Sequence, residues 1–213
     1  MENTDRNLAA ALEKGLDDAG IRVSRDAKGQ LCYYLQQLSK WNRTHNLSGI
    51  NDPLKMLNLH LLDSLSLLPY LEGRSLADIG CGAGLPGLPL AICRPDMDFV
   101  LLDSNGKKTA FVFQVAAQLG LKNLQVVRTR AEDYASENQV AIVTSRAFAT
   151  LNTFIRCSEH LLAQGGRFLA MKGKFPEDEL KDLPEDYCLV AAHTLHIPGL
   201  DASRHLLDIR RIT

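Results

Sequence analysis

The sequence lacks the features that would place it at a membrane or give it a strong bulk charge. None of its apolar runs approaches the roughly 20 residues that a membrane-spanning helix needs, and no apolar segment follows a basic start, as it does in a secretory signal peptide. Charge is balanced, because 24 Lys and Arg face 25 Asp and Glu, which gives a formal net charge of −1. We therefore expect a cytoplasmic protein with no membrane partner, in which any basic surface is local.

Cysteine is scarce and scattered. The count of 5 is odd, and no pair has the C-x-x-C spacing of a zinc or redox site, so we expect reduced thiols and no metal. A chain of 213 residues with 46% hydrophobic residues can bury a core without disulfide support. The cysteines are Cys32, Cys81, Cys93, Cys157 and Cys188.

The chain has two regimes of hydrophobic spacing. From Leu8 to about Leu71, apolar residues recur at steps of three and four, which predicts helices, the second of them capped by Ser24. A last apolar stripe in this region, residues 54–68, ends at Pro69. We therefore predict a helical extension over residues 1–72, packed on a core of residues 73–213 as one structural unit.

After residue 73, short apolar runs alternate with helical stretches, which predicts an α/β fold with a mostly parallel sheet and helices on both faces. The last two runs are joined through Pro198-Gly199 with no room for a crossover helix, so they must form an antiparallel hairpin. The seven predicted strands are 75–79, 99–102, 124–127, 140–143, 168–171, 188–197 and 205–212, and the predicted helices between them are 85–93, 107–119 and 151–162.

The turn after the first predicted strand is the most informative segment, because Gly80, Gly82, Gly84 and Gly87 follow Asp78 there. Glycines allow positive φ and the close approach of a ligand. A tight turn without a ligand is one interpretation, and Gly82-x-Gly84-x-x-Gly87 also matches a dinucleotide fingerprint. However, Asp78 before Gly80-x-Gly82-x-Gly84 is typical of S-adenosylmethionine-dependent methyltransferases. A carboxylate there would repel a pyrophosphate but suits the cationic sulfonium and amino group of S-adenosylmethionine, which we favour.

Acidic residues also follow the next two predicted strands. Asp103 stands where a carboxylate can accept hydrogen bonds from both ribose hydroxyls, a feature that nicotinamide enzymes share. Glu132 and Asp133 stand where methyltransferases hold the adenine amino group, although an acidic pair can also simply favour the start of a helix. The terminal antiparallel hairpin is typical of class I methyltransferases and not of dehydrogenases. S-adenosylmethionine is therefore the predicted cofactor.

Several motifs, in one order from about residue 30 to about residue 175, resemble those of a single bacterial family. This family is the small-subunit ribosomal RNA methyltransferase G, also called glucose-inhibited division protein B. The motifs are Lys40-Trp41-Asn42, Asn46-Leu47, His60-x-x-Asp63-Ser64-Leu65, the turn from Asp78 to Gly87, Leu101-Leu102-Asp103-Ser104 with Lys107-Lys108, Ser145-Arg146-Ala147, and Lys172-Gly173.

The resemblance implies an enzyme that methylates guanine N7 at position 527 of 16S rRNA. Carried over by position, it places cofactor contacts at Gly80, Leu85, Ala131, Glu132 and Arg146. Guanine N7 carries a free lone pair, so its attack on a methyl group needs no general base, and alignment supplies most of the catalysis. The motifs identify no catalytic residue, and Arg146 is the best candidate. The full predicted cofactor site is Asp78, Gly80, Gly82, Gly84, Leu85, Asp103, Ala131, Glu132 and Arg146.

The substrate RNA should present its target base unpaired, because N7 faces a groove of A-form RNA that side chains cannot enter. Basic residues at helix and strand ends predict a basic rim, although any one of them can be a plain surface charge. The candidates are Lys40, Arg43, His45, Lys107, Lys108, Arg128, Arg130, Arg146, Lys172 and Lys174. We select Lys40, Arg43, Lys107, Arg130 and Lys172 as the predicted RNA contacts.

The expected partners are 16S rRNA and the 30S ribosomal subunit, with no DNA partner and the chain a monomer. Three rival functions remain: a methyltransferase for small molecules or proteins, a ribosome-assembly module without catalysis, and a dehydrogenase, which Asp78 and the hairpin disfavour. His60, Asp63 and Ser64 share one helical face. For them we predict a structural hydrogen bond that holds this helix to the glycine turn, rather than a charge relay.

Overall fold

A seven-stranded sheet in the order β3-β2-β1-β4-β5-β7-β6 forms the centre of the computed structural model, which describes residues 2–212 and the side chains of residues 7–212. Strands β1 to β5 run parallel, and β7 is antiparallel to both of its neighbours. The predicted antiparallel hairpin is therefore present. The strands are β1 (Ser75–Ile79), β2 (Asp98–Asp103), β3 (Leu124–Arg128), β4 (Val140–Arg146), β5 (Leu162–Lys172), β6 (Tyr187–Thr194) and β7 (His205–Arg211).

The helices cover both faces of the sheet, as the alternating pattern predicted. One face carries the N-terminal helices together with α5 and α6, and the other carries α7, so the sheet separates two hydrophobic clusters. In the part of the chain that the structure describes, every helix is too short or too polar to cross a membrane. The α-helices are α1 (Glu2–Asp18), α2 (Arg25–His45), α3 (Pro53–Met56), α4 (Asp63–Leu65), α5 (Gly87–Cys93), α6 (Gly106–Leu119), α7 (Leu151–Ser158) and α8 (Glu177–Lys181).

Helix α2 joins the N-terminal helices to the sheet. The Ser24 hydroxyl accepts a hydrogen bond from the Ala27 amide at 3.1 Å, which confirms the predicted cap. The apolar face of α2 is buried at steps of three and four, as its spacing predicted. On that face the fully buried Tyr34 donates from its hydroxyl to the Ala83 carbonyl at 3.0 Å. The helical extension therefore reaches the glycine turn directly.

The apolar stripe of residues 54–68 does not form one regular helix. It is divided into α3, a π-helical turn (Leu57–Leu62), α4 and a 3-10 turn (Leu68–Tyr70). A π-turn adds one residue to a helical turn and rotates the residues that follow it, which spacing alone does not predict. Helix α8 was also not predicted, because its sequence has three acidic residues in its first turn and no apolar period.

The Tyr34 hydroxyl gives a direct test of the contact between the extension and the glycine turn. In Tyr34→Phe the buried Ala83 carbonyl loses its donor, so the free energy of unfolding should fall by about 1–3 kcal/mol. Tyr33→Phe is the matched control, because the neighbouring Tyr33 hydroxyl bonds to Gln118 at an exposed site. Urea unfolding of both variants measures the difference, and an equal effect of the two substitutions would contradict this contact.

Candidate active site

The carboxyl ends of the parallel strands meet at one edge of the sheet, and most predicted cofactor residues lie there. Strand β1 pairs with β2 on one side and with β4 on the other, so the strand order reverses between β1 and β4. Open α/β sheets bind ligands outside such a reversal point. The glycine turn follows β1, Asp103 ends β2 and Arg146 ends β4, so the fold brings these three sites to the same edge.

The glycine turn requires glycine for two physical reasons. Gly80, Gly82 and Gly84 all have positive φ, at 68°, 57° and 87°, a region that side chains with a Cβ rarely adopt. A Cβ on Gly80 would also lie 2.7 Å from the ring of Phe148, which covers the turn. The turn is fastened to the neighbouring strand, since the amides of Gly80 and Cys81 both donate to the Leu102 carbonyl.

Asp103 is positioned by two backbone amides. Its Oδ2 accepts from Gly82 at 2.8 Å, and its Oδ1 accepts from Asn105 at 2.7 Å. Each carboxylate oxygen has two lone pairs, so both can accept a further hydrogen bond. The half-buried side chain is thus fixed in orientation and still able to accept the two hydroxyls of a ribose.

Asp78 makes a structural contact that the motif alone did not predict. The residue is fully buried, and its Oδ2 accepts from the Gly87 amide at the start of α5 at 2.8 Å. A Cβ on Gly87 would lie 2.8 Å from that oxygen, which explains the last glycine of the motif by packing. Burial raises the pKa of Asp78 to about 7, while the Gly87 hydrogen bond and Arg146 oppose this shift.

The second oxygen of Asp78, Oδ1, is buried and has no hydrogen-bond partner among the described residues. An unpaired buried oxygen of a carboxylate is a favourable partner for a cation. S-adenosylmethionine carries a sulfonium and an ammonium group as well as a ribose. Asp103 can accept the ribose hydroxyls, whereas Asp78, at 0% exposure, can act on the cationic groups only through its charge from beneath the turn. Within residues 7–212, no group of three His, Cys, Asp or Glu side chains could hold a metal ion.

The remaining predicted cofactor residues differ in what they can offer. The side chain of Leu85 is buried in the hydrophobic core with 4% exposure, so a ligand could contact only its backbone. Ala131 is likewise buried, at the start of a 3-10 turn (Ala131–Asp133). Glu132 is exposed, and its carboxylate lies 3.8 Å from the Arg130 guanidinium.

Arg146 is held by the N-terminal extension. Its Nη1 donates to the Leu59 carbonyl and to Oδ2 of Asp63, both at 3.0 Å. The predicted hydrogen bond from the His60, Asp63 and Ser64 face to the glycine turn is therefore wrong. Asp63 pairs with the end of β4 instead, and the Ser64 hydroxyl bonds back to the His60 carbonyl. The π-turn supplies the reason, because it changes the direction in which this face points.

The predicted RNA contacts lie on several elements: α2, the start of α6, the segment after β3 and the end of β5. Lys107 and the further candidate Lys108 lie in the first turn of α6, where their amides donate to the Asn105 side chain. Lys40 and Arg43 are exposed on α2. The ring of Trp41 packs 5.5 Å from that of Phe111, which places this part of α2 beside α6.

Lys172 is not a free cation in the structure. Its Nζ lies 2.7 Å from the Glu179 carboxylate and donates to the Ala149 carbonyl at 3.2 Å. The same carboxylate accepts from the Leu151 amide at the start of α7, so the pair joins β5, α7 and α8. The contact of Lys172 with RNA therefore stays a prediction that would require this ion pair to open.

Two residues of this edge, Phe148 and Arg204, were not among the predicted ones. Phe148 packs on Gly80, and Nε of Arg204 lies 3.2 Å from Asp63. Phe148 directly follows the Ser145-Arg146-Ala147 motif, and this position could have indicated it. Arg204 lies beyond the part of the chain that carries the family motifs, so no pattern pointed to it.

Comparison with known proteins supports the predicted fold and the family resemblance. The family model described as rRNA small subunit methyltransferase G matches residues 27–207. A ribosomal RNA small subunit methyltransferase G from Nitrosococcus oceani is 48% identical over 210 residues, covering 99% of this chain and 97% of its own. Its counterpart from Laribacter hongkongensis is 43% identical over 203 residues, covering 95% and 98%.

Among solved structures, an S-adenosylmethionine-dependent methyltransferase from Thiobacillus denitrificans, in complex with S-adenosyl-L-homocysteine, shares the fold with a TM-score of 0.52. It is 14% identical, and the match covers 71% of this chain and 90% of that chain. The predicted class of α/β fold is thereby confirmed.

Replacing Asp103 should separate cofactor binding from RNA binding. In Asp103→Ala the ribose would lose two hydrogen bonds to a charged acceptor, so affinity for S-adenosylmethionine should fall roughly 10- to 100-fold. Affinity for 16S rRNA should change much less. Asp98→Ala is the control, because Asp98 is exposed at the opposite end of β2. Calorimetry that shows unchanged cofactor affinity for Asp103→Ala would remove this residue from the site.

The raised pKa of Asp78 makes stability depend on pH. Its pKa is about 7 in the folded protein against an ordinary value of 3.8, so between these values the folded state binds a proton that the unfolded chain has released. The contribution of Asp78 to the free energy of unfolding therefore falls as pH rises from about 4 to about 7, and stays low above that.

Asp78→Asn removes this titration and keeps an oxygen for the Gly87 amide. The stability of the variant relative to the native protein should therefore be higher at about pH 8 than at about pH 5. Urea unfolding at the two pH values measures this, with Asp98→Asn as the exposed control. A relative stability that is the same at both pH values would show that Asp78 keeps an ordinary pKa.

Proposed function

Because the chain belongs to the rRNA small subunit methyltransferase G family, we propose that it methylates guanine N7 at position 527 of 16S rRNA, with S-adenosylmethionine as the methyl donor. The family match also confirms the resemblance drawn from the ordered motifs. The observation that carries the proposal is the edge where the glycine turn, Asp103 and Arg146 lie together, at the carboxyl ends of β1, β2 and β4. S-adenosylmethionine supplies a methyl group on a positively charged sulfur.

The side chains at this edge suit a reaction that needs alignment and no general base. Burial and the positive charge of Arg146 lower the pKa of His60 to about 4. This imidazole is therefore neutral at physiological pH and cannot act as a general acid. Burial also raises the pKa of the Cys81 thiol, which argues against a nucleophilic cysteine of the kind that pyrimidine C5 methylation uses. The lone pair of N7 attacks without losing a proton, so positioning supplies the rate.

We assign the cofactor contacts to the residues that offer acceptors or backbone at the edge. Asp103 accepts the ribose hydroxyls, and Asp78 faces the cationic part of the cofactor from beneath the turn. Glu132 is available to the adenine amino group, with the backbone of Leu85 and Ala131 beside it. Arg146, at the end of β4, borders both cofactor and target base. The glycines of the turn let the cofactor approach the backbone.

The RNA contacts are proposed at the carboxyl ends of β2 and β3 and along α2. Lys107 and Lys108 share the start of α6. The guanidinium of Arg128 packs on Gly106 in the same turn, because a Cβ on Gly106 would lie 2.9 Å from the Cζ atom of Arg128. Together with Arg130 they place four cations near the adenosine side of the site. Phosphates favour both cations and helix N-termini. Lys40 and Arg43 extend this surface onto α2.

We also propose that residues 1–72 and 73–213 act as one structural unit on the 30S subunit. Two contacts support this unit. The Tyr34 hydroxyl donates to the Ala83 carbonyl in the glycine turn, and the Asp63 carboxylate pairs with Arg146 at the end of β4. In this proposal the protein works in the cytoplasm as a monomer, with no DNA or membrane partner.

The proposal is tested by methyl transfer from labelled S-adenosylmethionine to 30S subunits and naked 16S rRNA from a strain that lacks this gene. Chemical cleavage at 7-methylguanosine should map the label to position 527 and nowhere else. Cofactor binding without any RNA label would contradict the proposal and favour another methyl acceptor. RNA binding without release of S-adenosylhomocysteine would favour an assembly module.

A further inference from the structure

Two arginines from distant parts of the chain share one buried carboxylate. Asp63, whose side chain is 3% exposed, lies 3.0 Å from Nη1 of Arg146 and 3.2 Å from Nε of Arg204. Arg204 immediately precedes β7, and His205 is paired with Lys172 at the end of β5. Because β7 is antiparallel, its first residue lies at the carboxyl edge of the parallel strands. Arg204 therefore reaches the same edge as Arg146.

The arginines carry more positive charge than Asp63 can balance. One carboxylate faces two guanidinium groups, and the neighbouring Lys172 and Glu179 neutralise each other. Burial lowers the pKa of His60, so this residue adds no charge at neutral pH. Asp78 also interacts with Arg146, but its raised pKa leaves it only partly ionised at neutral pH. Part of the positive charge therefore remains unbalanced, on side chains that are only 19% and 22% exposed. A partly buried excess charge is costly unless an anion accompanies it.

The contact of Arg204 with Asp63 also leaves hydrogen-bonding capacity unused. Oδ1 of Asp63, the oxygen nearest to Arg204, accepts no hydrogen bond from the described residues, so this is a charge contact only. Nη1 of Arg204 donates to the Ser203 carbonyl at 2.9 Å. A guanidinium has five N–H donors in a planar fork. The fork of Arg204 therefore retains donors for a ligand with oxygen atoms.

We propose that Arg204, placed beside Arg146 by Asp63, binds a phosphate of the substrate RNA next to the target guanine. This inference rests on the proposed function, because it takes RNA as the substrate. Arginine suits the task, since its planar fork can hold two oxygens of a phosphate at once. Gly173 adjoins this place, and a Cβ there would lie 3.7 Å from Nη1 of Arg204, so the chain leaves room beside the arginine.

The carboxylate of the cofactor is the other oxyanion that could occupy this place, and the strand order argues against it. The glycine turn and Asp103 belong to β1 and β2, whereas Arg204 precedes β7, three strands away from β1. Neighbouring strands are about 4.8 Å apart, so this separation is roughly 14 Å. Arg204 thus lies beyond β4 from the glycine turn and Asp103, and a methyl acceptor that enters on that side would meet it.

The test compares Arg204→Gln and Arg204→Lys with Arg211→Gln, which removes the same charge at the opposite end of β7. Arg211 is 67% exposed and pairs with Asp186. The readouts are the KM for 30S subunits, the salt dependence of binding to naked 16S rRNA, cofactor affinity and stability to urea. Arg204→Gln should raise the KM about tenfold and lower the slope of log affinity against log salt by about one.

Cofactor affinity should stay unchanged in all three variants. Arg204→Lys should keep the salt slope, because the charge remains, and have an intermediate KM, because lysine cannot bind a phosphate through a fork. Arg211→Gln should behave as the native protein. If Arg204→Gln is poorly folded, Arg204→Lys with a raised KM at native stability and native cofactor affinity still supports the proposal.

Three results would overturn the proposal. One is a native salt slope and KM in Arg204→Gln. Another is a loss confined to cofactor affinity, which would assign the arginine to the cofactor carboxylate. The third is a loss of activity that parallels a loss of stability to urea in both Arg204 variants, which would make Arg204 a structural partner of Asp63. Failure of the proposed function is distinct, because the native protein would then leave 16S rRNA unmethylated.

Discussion

The carboxylate of Asp78, buried beneath the turn from β1 to α5, is the constraint from which the candidate site takes its shape. Its hydrogen bond to the Gly87 amide fixes where α5 starts, and the absence of a Cβ on Gly87 allows that contact. The turn between them must then reverse direction over a few residues, which the positive φ of Gly80 and Gly84 permits. Burying this acid without a full set of partners costs stability, and a cationic ligand would offset part of that cost.

The N-terminal extension supports this edge from two sides. The Tyr34 hydroxyl bonds to the glycine turn, and the Asp63 carboxylate bonds to Arg146 at the end of β4. The turn and the strand end lie on either side of the place where the strand order reverses, so the extension spans the candidate ligand site. The helices before β1 therefore help to position the candidate site, and a change in their packing would displace both the Tyr34 and the Asp63 contacts.

The sequence predicted the features that depend on neighbouring residues, and it did not predict those that depend on tertiary packing. The cap at Ser24, the number and order of the strands along the chain and the placement of Asp103 follow from residues close in sequence, and the structure agrees with them. The limits of β5 do not agree, because it begins at Leu162, where the prediction still had a helix. The π-helical turn, the pairing of Asp63 with Arg146 and the arrival of Arg204 depend on tertiary packing across the sheet. No periodicity encodes such contacts, and for this reason the direction of the Asp63 side chain was predicted wrongly.

The distribution of charge explains how a protein with a net charge of −1 can serve a polyanionic substrate. Asp103 supplies negative charge at the end of β2, and the partly ionised Asp78 adds to it beneath the turn after β1, where a cationic cofactor fits. Lys107 and Lys108 lie beyond Asp103 along the chain, at the start of α6, and Arg204 lies at the other end of the same edge. Fields of this kind act over about one Debye length, roughly 8–10 Å. Acidic and basic groups at different positions along one edge can therefore favour two ligands of opposite charge, and the bulk charge need not favour either.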